Sequence, residues 1–252
     1  KHEFYKYDYV LPEITLARNL LSDENLGNID LRSNYKTHAY ETNKFTNFFV
    51  NDFDWTSKKL SLGRGLNSSF LGNLKNINYE AKNEDLYKDD LTSEIFGAIG
   101  MLSDLKLEKI NDNSAHFLTP KIFLRYAPGS MRKETSGIKL DPISAFSLDR
   151  ISNINNYETG LSATLGFDYD IKNEKKETKF DFSLAQVINE IDNEKMDDRT
   201  SLNEKLSDLV GAANFNINEN FKINYNFAVD QNYQDFNYNE IGASLNYSSI
   251  NF

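Results

Sequence analysis

The sequence predicts an all-β fold, an antiparallel transmembrane β-barrel, of which it supplies roughly ten to twelve strands of a larger barrel, an incomplete fragment. Three features carry the prediction: period-two hydrophobic patterning, apolar phases longer than soluble strands require, and connectors that are either very short or very long. Alternation places successive side chains on opposite faces of a sheet.

In chain order, weaker alternation covers residues 29–40, 45–55, 77–81, 95–107 and 122–126. The clearest strand follows at 157–171. Tyr157, Leu161, Ala163, Leu165, Phe167, Tyr169 and Ile171 hold one phase, while Glu158, Gly160, Ser162, Thr164, Gly166, Asp168 and Asp170 hold the other. Only Thr159 interrupts the apolar set. Residues 180–184 and 209–217 alternate weakly. Phe221, Ile223, Tyr225, Phe227 and Val229 then alternate cleanly with Lys222, Asn224, Asn226, Ala228 and Asp230, and 241–247 closes the series.

Several of these stretches exceed the five or six residues typical of soluble strands and reach the roughly 9 to 11 needed to cross a bilayer obliquely. Asn218-Glu219-Asn220 is a tight connector, whereas 127–156 and 189–204 are long and polar. Outer-membrane barrels alternate short periplasmic turns with long outer loops in this way. A helix over 188–206 is conceivable, but its charge density points to a solvated loop. There is no fixed-period repeat and no Pro/Gly-rich linker, so residues 1–252 are expected to form part of one barrel domain without internal boundary. A soluble sandwich, solenoid or jelly roll, serving as a β-rich surface or carbohydrate-binding protein, is the alternative fold reading.

Composition narrows the classes. Lys and Arg total 28 against 38 Asp and Glu, a net charge of -10, which argues against nucleic acid as a partner because phosphate binding needs clustered cations. With 18 Phe and 14 Tyr the chain is too aromatic for disorder. It has no cysteine, so thiolate metal sites and cysteine nucleophiles are excluded. No apolar run is long enough for a spanning helix. Mean hydropathy is only −0.59, which suits a barrel whose lumen and loops are polar. Residues 1–11 lack an apolar core of the signal-peptide kind, and the chain is expected to be a mature form or an excised piece.

Two ordered motif series narrow the reading further. His116-Phe117-Leu118-Thr119-Pro120-Lys121-Ile122-Phe123-Leu124-Arg125-Tyr126-Ala127-Pro128 resembles the Thr-Pro-x-hydrophobic-x-x-Arg-x-x-Pro stretch of LptD barrels. Leu140-Asp141, then Phe146-Ser147-Leu148-Asp149-Arg150, Tyr157-Glu158-Thr159-Gly160 and Leu165-Gly166-Phe167-Asp168-Tyr169 resemble that family's companion pattern. Pro12-Glu13-Ile14, Val50-Asn51-Asp52 with Trp55, and Leu206-Ser207-Asp208-Leu209-Val210-Gly211 spread the likeness over most of the chain.

The resemblance implies transport of lipopolysaccharide (LPS) and its insertion into the outer leaflet of a Gram-negative outer membrane. It implies a plug lipoprotein like LptE, a periplasmic bridge like LptA, and lipid exit through a parted strand seam. It also implies a periplasmic N-terminal domain and final strands outside this sequence; Phe252, out of phase with Ile241, Ala243, Leu245 and Tyr247, reads as a truncation point. A generic porin or autotransporter translocator is the second reading, although a porin has no reason to carry the ordered motifs.

No catalytic constellation emerges, and the expectation is a protein that is not an enzyme and needs no cofactor. His2, His38 and His116 lie outside any nucleophile motif and give no metal-binding pair. The acidic run 192–198 lacks the loop spacing of a calcium site, and Gly63-Arg64-Gly65 lacks the context of a phosphate cradle. One local charge reversal stands out between 119 and 150. Lys121, Arg125, Arg132, Lys133, Lys139 and Arg150 face Glu134, Asp141 and Asp149, six minus three or +3. Such cations are candidates to line the route of a sugar-phosphate group, since Arg and Lys bind phosphate well. The plain alternative is that they decorate an exposed loop.

Overall fold

The computed structural model describes residues 9–40, 44–135, 137–151, 153–247 and 250–251; His2 and Phe252 lie outside them. In chain order the strands are β1 (Tyr9–Asp23), β2 (Gly27–Tyr40), β3 (Lys44–Thr56), β4 (Leu60–Gly63), β5 (Leu66–Lys82), β6 (Thr92–Leu105) and β7 (Leu107–Ile110). They continue with β8 (Ser114–Ala127), β9 (Gly160–Asn173), β10 (Thr178–Asn189), β11 (Leu209–Asn216), β12 (Phe221–Val229), β13 (Phe236–Tyr247) and β14 (Ile250–Asn251).

All lie in one 14-stranded sheet, with twelve in an unbroken sequential path and the short β4 and β7 pairing with β5 and β8 alone. Every pairing is antiparallel, for instance Leu124↔Ala163 and Gly211↔Phe227. The path matches the strand number expected from the pattern. Among the described residues the sheet does not close, since β1 and β14 each have a single neighbour.

Connectors at one end of the sheet are tight: residues 24–26, 174–177 and 217–220. At the other end, residues 83–91, 128–159 and 190–208 form longer excursions. The last two fold back over one face of the sheet, called inner here. Leu148 and Tyr157 from the first loop bury against Phe48, Ile77, Phe96 and Phe123 of the wall. Met131, Leu140, Ile151, Met196 and Leu202 from both loops bury against Val187, Val210 and Ala228. Each large side chain removed from water in this way contributes roughly 1.5–3 kcal/mol.

The acidic segment 192–198 is therefore not simply a solvated loop. Met196, Thr200 and Leu202 are buried, and only Asp198–Thr200 makes a helical turn, of 3-10 type. Its carboxylates brace the loop: Asp192 accepts from the Lys205 amide at 2.9 Å and Asp197 from the Arg199 amide at 2.9 Å.

The outer face carries the other phase. Ile95, Ile99, Ile122, Leu124, Leu161 and Leu165 all stand exposed there. Near the tight-turn end His116, Tyr169, Phe180 and Phe215 make a row with successive ring centroids 6.1, 6.2 and 4.6 Å apart. An apolar band flanked by aromatic residues is the exterior of a membrane barrel. Within β5 the apolar phase changes sides: Leu66, Phe70 and Leu74 face out, whereas Ile77, Tyr79 and Ala81 face in and are buried. Below the change the outer side is the apolar one; above it the folded-in loop makes the inner side apolar and Asn76, Asn78 and Glu80 face out.

Candidate functional site

The inner face of β3, β5, β6, β8 and β9 meets loop 128–159 through a network of buried charges. Alternation on β8 turns Lys121, Phe123 and Arg125 inward and Ile122, Leu124 and Tyr126 outward. Arg125 is 1% exposed; its Nε donates to the Leu148 carbonyl at 2.7 Å and Nη2 to the Glu158 carbonyl at 2.5 Å. Arg150, 3% exposed, grips the Glu158 carboxylate through Nε at 2.7 Å and through Nη2, which also reaches Ser162 Oγ at 3.1 Å. Arg125 Nη1 stands 4.0 Å from the same carboxylate, so one buried anion serves two buried guanidiniums.

Three further ties extend the network. Lys75 Nζ donates to Asp149 Oδ2 at 2.7 Å and lies 3.4 Å from Asp52. Arg132 pairs with Glu94 and the Asn155 carbonyl while its guanidinium sits over the rings of Tyr79 and Tyr87. Glu134 accepts from Asn153 at 2.9 Å and Asn156 at 3.1 Å. The loops are also tied to each other: the Glu134 amide donates to the Lys195 carbonyl at 2.7 Å.

Two glycines let the loop lie flat. A Cβ on Gly100 would fall 2.5 Å from the Phe123 ring and 3.1 Å from Leu148. One on Gly166 would fall 2.1 Å from the Leu184 carbonyl and 3.0 Å from the Phe146 ring. Thr164 Oγ1 then fixes the loop with a 2.8 Å bond to the Ala145 carbonyl.

Burial acts to raise the Glu158 pKa, but Arg150 and Arg125 together outweigh it and hold the carboxyl below the usual glutamate range. Burial pushes the Asp149 carboxyl up, against the opposing pull of Lys75. Tyr157, wholly buried, is likewise pushed up by desolvation and stays un-ionised.

Of the six cations singled out by sequence, Lys121, Arg125, Arg132 and Arg150 thus meet protein partners, Lys121 forming a 2.8 Å bridge to Asp168 beneath the Phe146 ring. They do not sit on an exposed loop. Lys133 is exposed, and Lys139, also exposed, lies 3.9 Å from the Tyr238 ring centroid. Sequence reading missed Lys75 and Glu94, and it placed Glu158 in the polar phase of a strand rather than beside Arg125 and Arg150. The available signal was Arg125 itself, inward-facing between Phe123 and Ala127, because a buried cation demands an anion.

His116 lies within β8. Its ring bonds Ser114 Oγ at 3.0 Å and the Tyr169 hydroxyl at 2.8 Å on the outer face, a chain containing no carboxylate. Further along the sheet, a cavity of about 420 Å³ separates loop residues Lys139 to Ile143 from the inner wall of β10 to β13.

The profile of the LptD family, described as LPS transport system D, matches residues 73–252, from within β5 onward. The chain belongs to the LptD family. Its function therefore lies in LPS transport, and the antiparallel sheet with its apolar outer phase is the barrel wall of an LptD protein. LptD is an outer-membrane protein family of Gram-negative bacteria. No curated protein matches the chain.

Proposed function

We propose that this LptD chain forms part of a single barrel domain that inserts LPS into the outer leaflet of the outer membrane without catalysing a covalent step. The observation that carries the reading is the match over residues 73–252, from within β5 through the rest of the chain. An apolar outer phase and a polar inner phase support it: acyl chains would meet the first and sugars the second. The chain would work with an LptE-like plug and an LptA-like bridge, and energy would come from elsewhere in the pathway.

In this reading the six cations divide. Arg125, Arg132 and Arg150, with Lys121, position loop 128–159, while exposed Lys133 and Lys139 are the ones offered to sugar phosphates, which an ammonium binds as a point charge. Depleting the full-length protein in its own cell and following newly made LPS tests the proposal. LPS should accumulate in the inner membrane and periplasm; normal delivery to the surface would remove it.

A further inference from the structure

The turn segments at the tight end of the sheet, 22–28, 57–65, 105–113, 172–179 and 217–222, hold ten Lys and Arg against seven Asp and Glu. At the other end 83–91, 128–159 and 190–208 hold eight against fifteen. A chain of net charge -10 thus turns a basic rim to one side of the membrane. Short turns of outer-membrane barrels lie on the periplasmic side, and Lys and Arg there meet the phosphates of the leaflet below.

On the outer face this rim contains a pocket. β7 pairs with β8 alone, which leaves one side of it open. Leu107 and Lys109 stand opposite Leu118 and His116, so all four share the outer face with Tyr169, the partner of Leu118 on β9. Together with Glu108 they line a cavity of about 460 Å³. Lys109 and Glu108 are exposed and form no ion pair among the described residues. His116 is bonded at both ring nitrogens, to Ser114 and to Tyr169. A neutral imidazole donates through one nitrogen and accepts through the other, so one of the two hydroxyls receives the ring proton and keeps its own to give away. A phosphate oxygen in the cavity gains that hydroxyl and the Lys109 ammonium as donors, while Glu108 offers a partner to an ammonium group.

From the cavity toward the middle of the wall the outer side of β8 reads Leu118, Pro120, Ile122 and Leu124, apolar for about 20 Å at roughly 3.4 Å per residue. Charged and hydroxyl groups at the rim followed by an apolar run along the wall is the order of groups in a phospholipid, whereas a soluble anion would leave the apolar run unused. We propose that the pocket of β7 and β8 binds a phospholipid headgroup of the periplasmic leaflet. Its phosphate lies on Lys109 and the His116 hydroxyl pair, its ammonium on Glu108, and its acyl chains on Leu118 to Leu124. The site is on the outside of the wall, so it rests on the barrel-wall assignment and not on the cargo the barrel moves. Its occupancy fixes the tight-turn rim at the level of the lipid phosphates.

The test reconstitutes the full-length protein in vesicles of an ethanolamine phospholipid, a fraction of it carrying a photoreactive diazirine in the headgroup or, in a parallel sample, in the acyl chain. The headgroup probe should give adducts within residues 107–118, and the acyl probe adducts at Ile122 and Leu165. Lys109→Gln combined with Tyr169→Phe should lower the headgroup adducts about tenfold, the worth of one charge-assisted hydrogen bond, while Lys88→Gln at the opposite end leaves them unchanged. Retained acyl adducts at Ile122 and Leu165 show that the double variant is folded in the membrane. Undiminished headgroup labelling in that variant would overturn the site. So would loss of labelling in the unsubstituted protein on adding inorganic phosphate, since the ligand would then be a free anion. Acyl adducts on the wall with no headgroup adduct at 107–118 would remove the site and leave the barrel wall standing; absence of both would remove both.

Discussion

Replacing Glu158 by Gln removes one negative charge from between two buried guanidiniums. Arg150 loses a two-point carboxylate grip and Arg125 loses its nearest anion, while both stay almost wholly out of water. Removing one partner of a buried ion pair costs about 3–5 kcal/mol. Gln keeps one carbonyl acceptor, which favours the lower figure. At about 1.4 kcal/mol per decade, 3 kcal/mol raises the fraction of molecules with loop 128–159 released by roughly a hundredfold. Chymotrypsin applied to the membrane-inserted protein reads this directly, because Tyr157 is wholly buried in the folded loop. Cleavage after Tyr157 should accelerate strongly in Glu158→Gln. It should return toward the original rate when Arg125→Met and Arg150→Leu are added to Glu158→Leu, since apolar replacement of a buried charge group is often neutral. Unchanged protection of Tyr157 in the single variant would refute the idea that this carboxylate holds the loop.

Acid tests the same contact with a definite sign. Because the folded Glu158 pKa is depressed, its contribution is present above the unfolded value of about 4.5 and disappears as pH falls through the folded one, so protection of Tyr157 should persist to about pH 4.5 and fail below. The raised Asp149 works oppositely, its contribution being present below 3.8 and lost as pH rises, so loss of protection well above pH 4.5 would contradict the assignment to Glu158. Lys75→Met should strand buried Asp149 at a cost of about 3 kcal/mol and speed amide exchange over residues 145–151, an effect absent if Lys75 is incidental. Gly166→Leu should block assembly of folded protein, because its Cβ would strike the Leu184 backbone, which cannot swing aside as a side chain can. Leu165→Arg on the outer face should cost about 2–4 kcal/mol of stability in lipid, measured by denaturant unfolding in bilayers, and much less if that face meets water.

What could be read from the sequence followed one rule: a segment was legible where a single environment faced each side of it. β9 and β12 meet lipid on one face and a polar interior on the other, so their alternation is clean. β5 was half visible, since its apolar phase moves from Leu66, Phe70 and Leu74 to Ile77, Tyr79 and Ala81 and no single period spans both. β1 escaped because irregularities between Val10 and Glu13 and between Asn19 and Leu21 break its alternation, so Leu20 and Leu21 read as one patch. β4 and β7, four residues each, are too short to establish a period.

The charge network was legible only within its own stretch of chain. Arg125, Arg132 and Arg150 stood out as a local excess over Glu134 and Asp149, but Lys75, the partner of Asp149, and Glu94, the partner of Arg132, come from strands far earlier in the chain, and topology alone brings them together. Glu158 was visible and misplaced, counted as the polar phase of a strand that begins only at Gly160. The loop over 190–208 was taken for solvated because its acids outnumber its apolar residues, although Met196 and Leu202 suffice to seat it.

The export reading stands on one physical assignment: Leu161, Leu165 and Ile122 face hydrocarbon while Asp168, Asp170 and Lys121 face the polar interior. The sequence has no cysteine, so single cysteines placed at Leu165 and at Asp170 in the membrane-embedded protein decide it cleanly. A spin or fluorescent label at position 165 should be quenched by a lipid-dissolved quencher and shielded from aqueous thiol reagents, and one at 170 should behave in the opposite way. Aqueous labelling of position 165, with no lipid quenching there, would contradict the barrel-wall account.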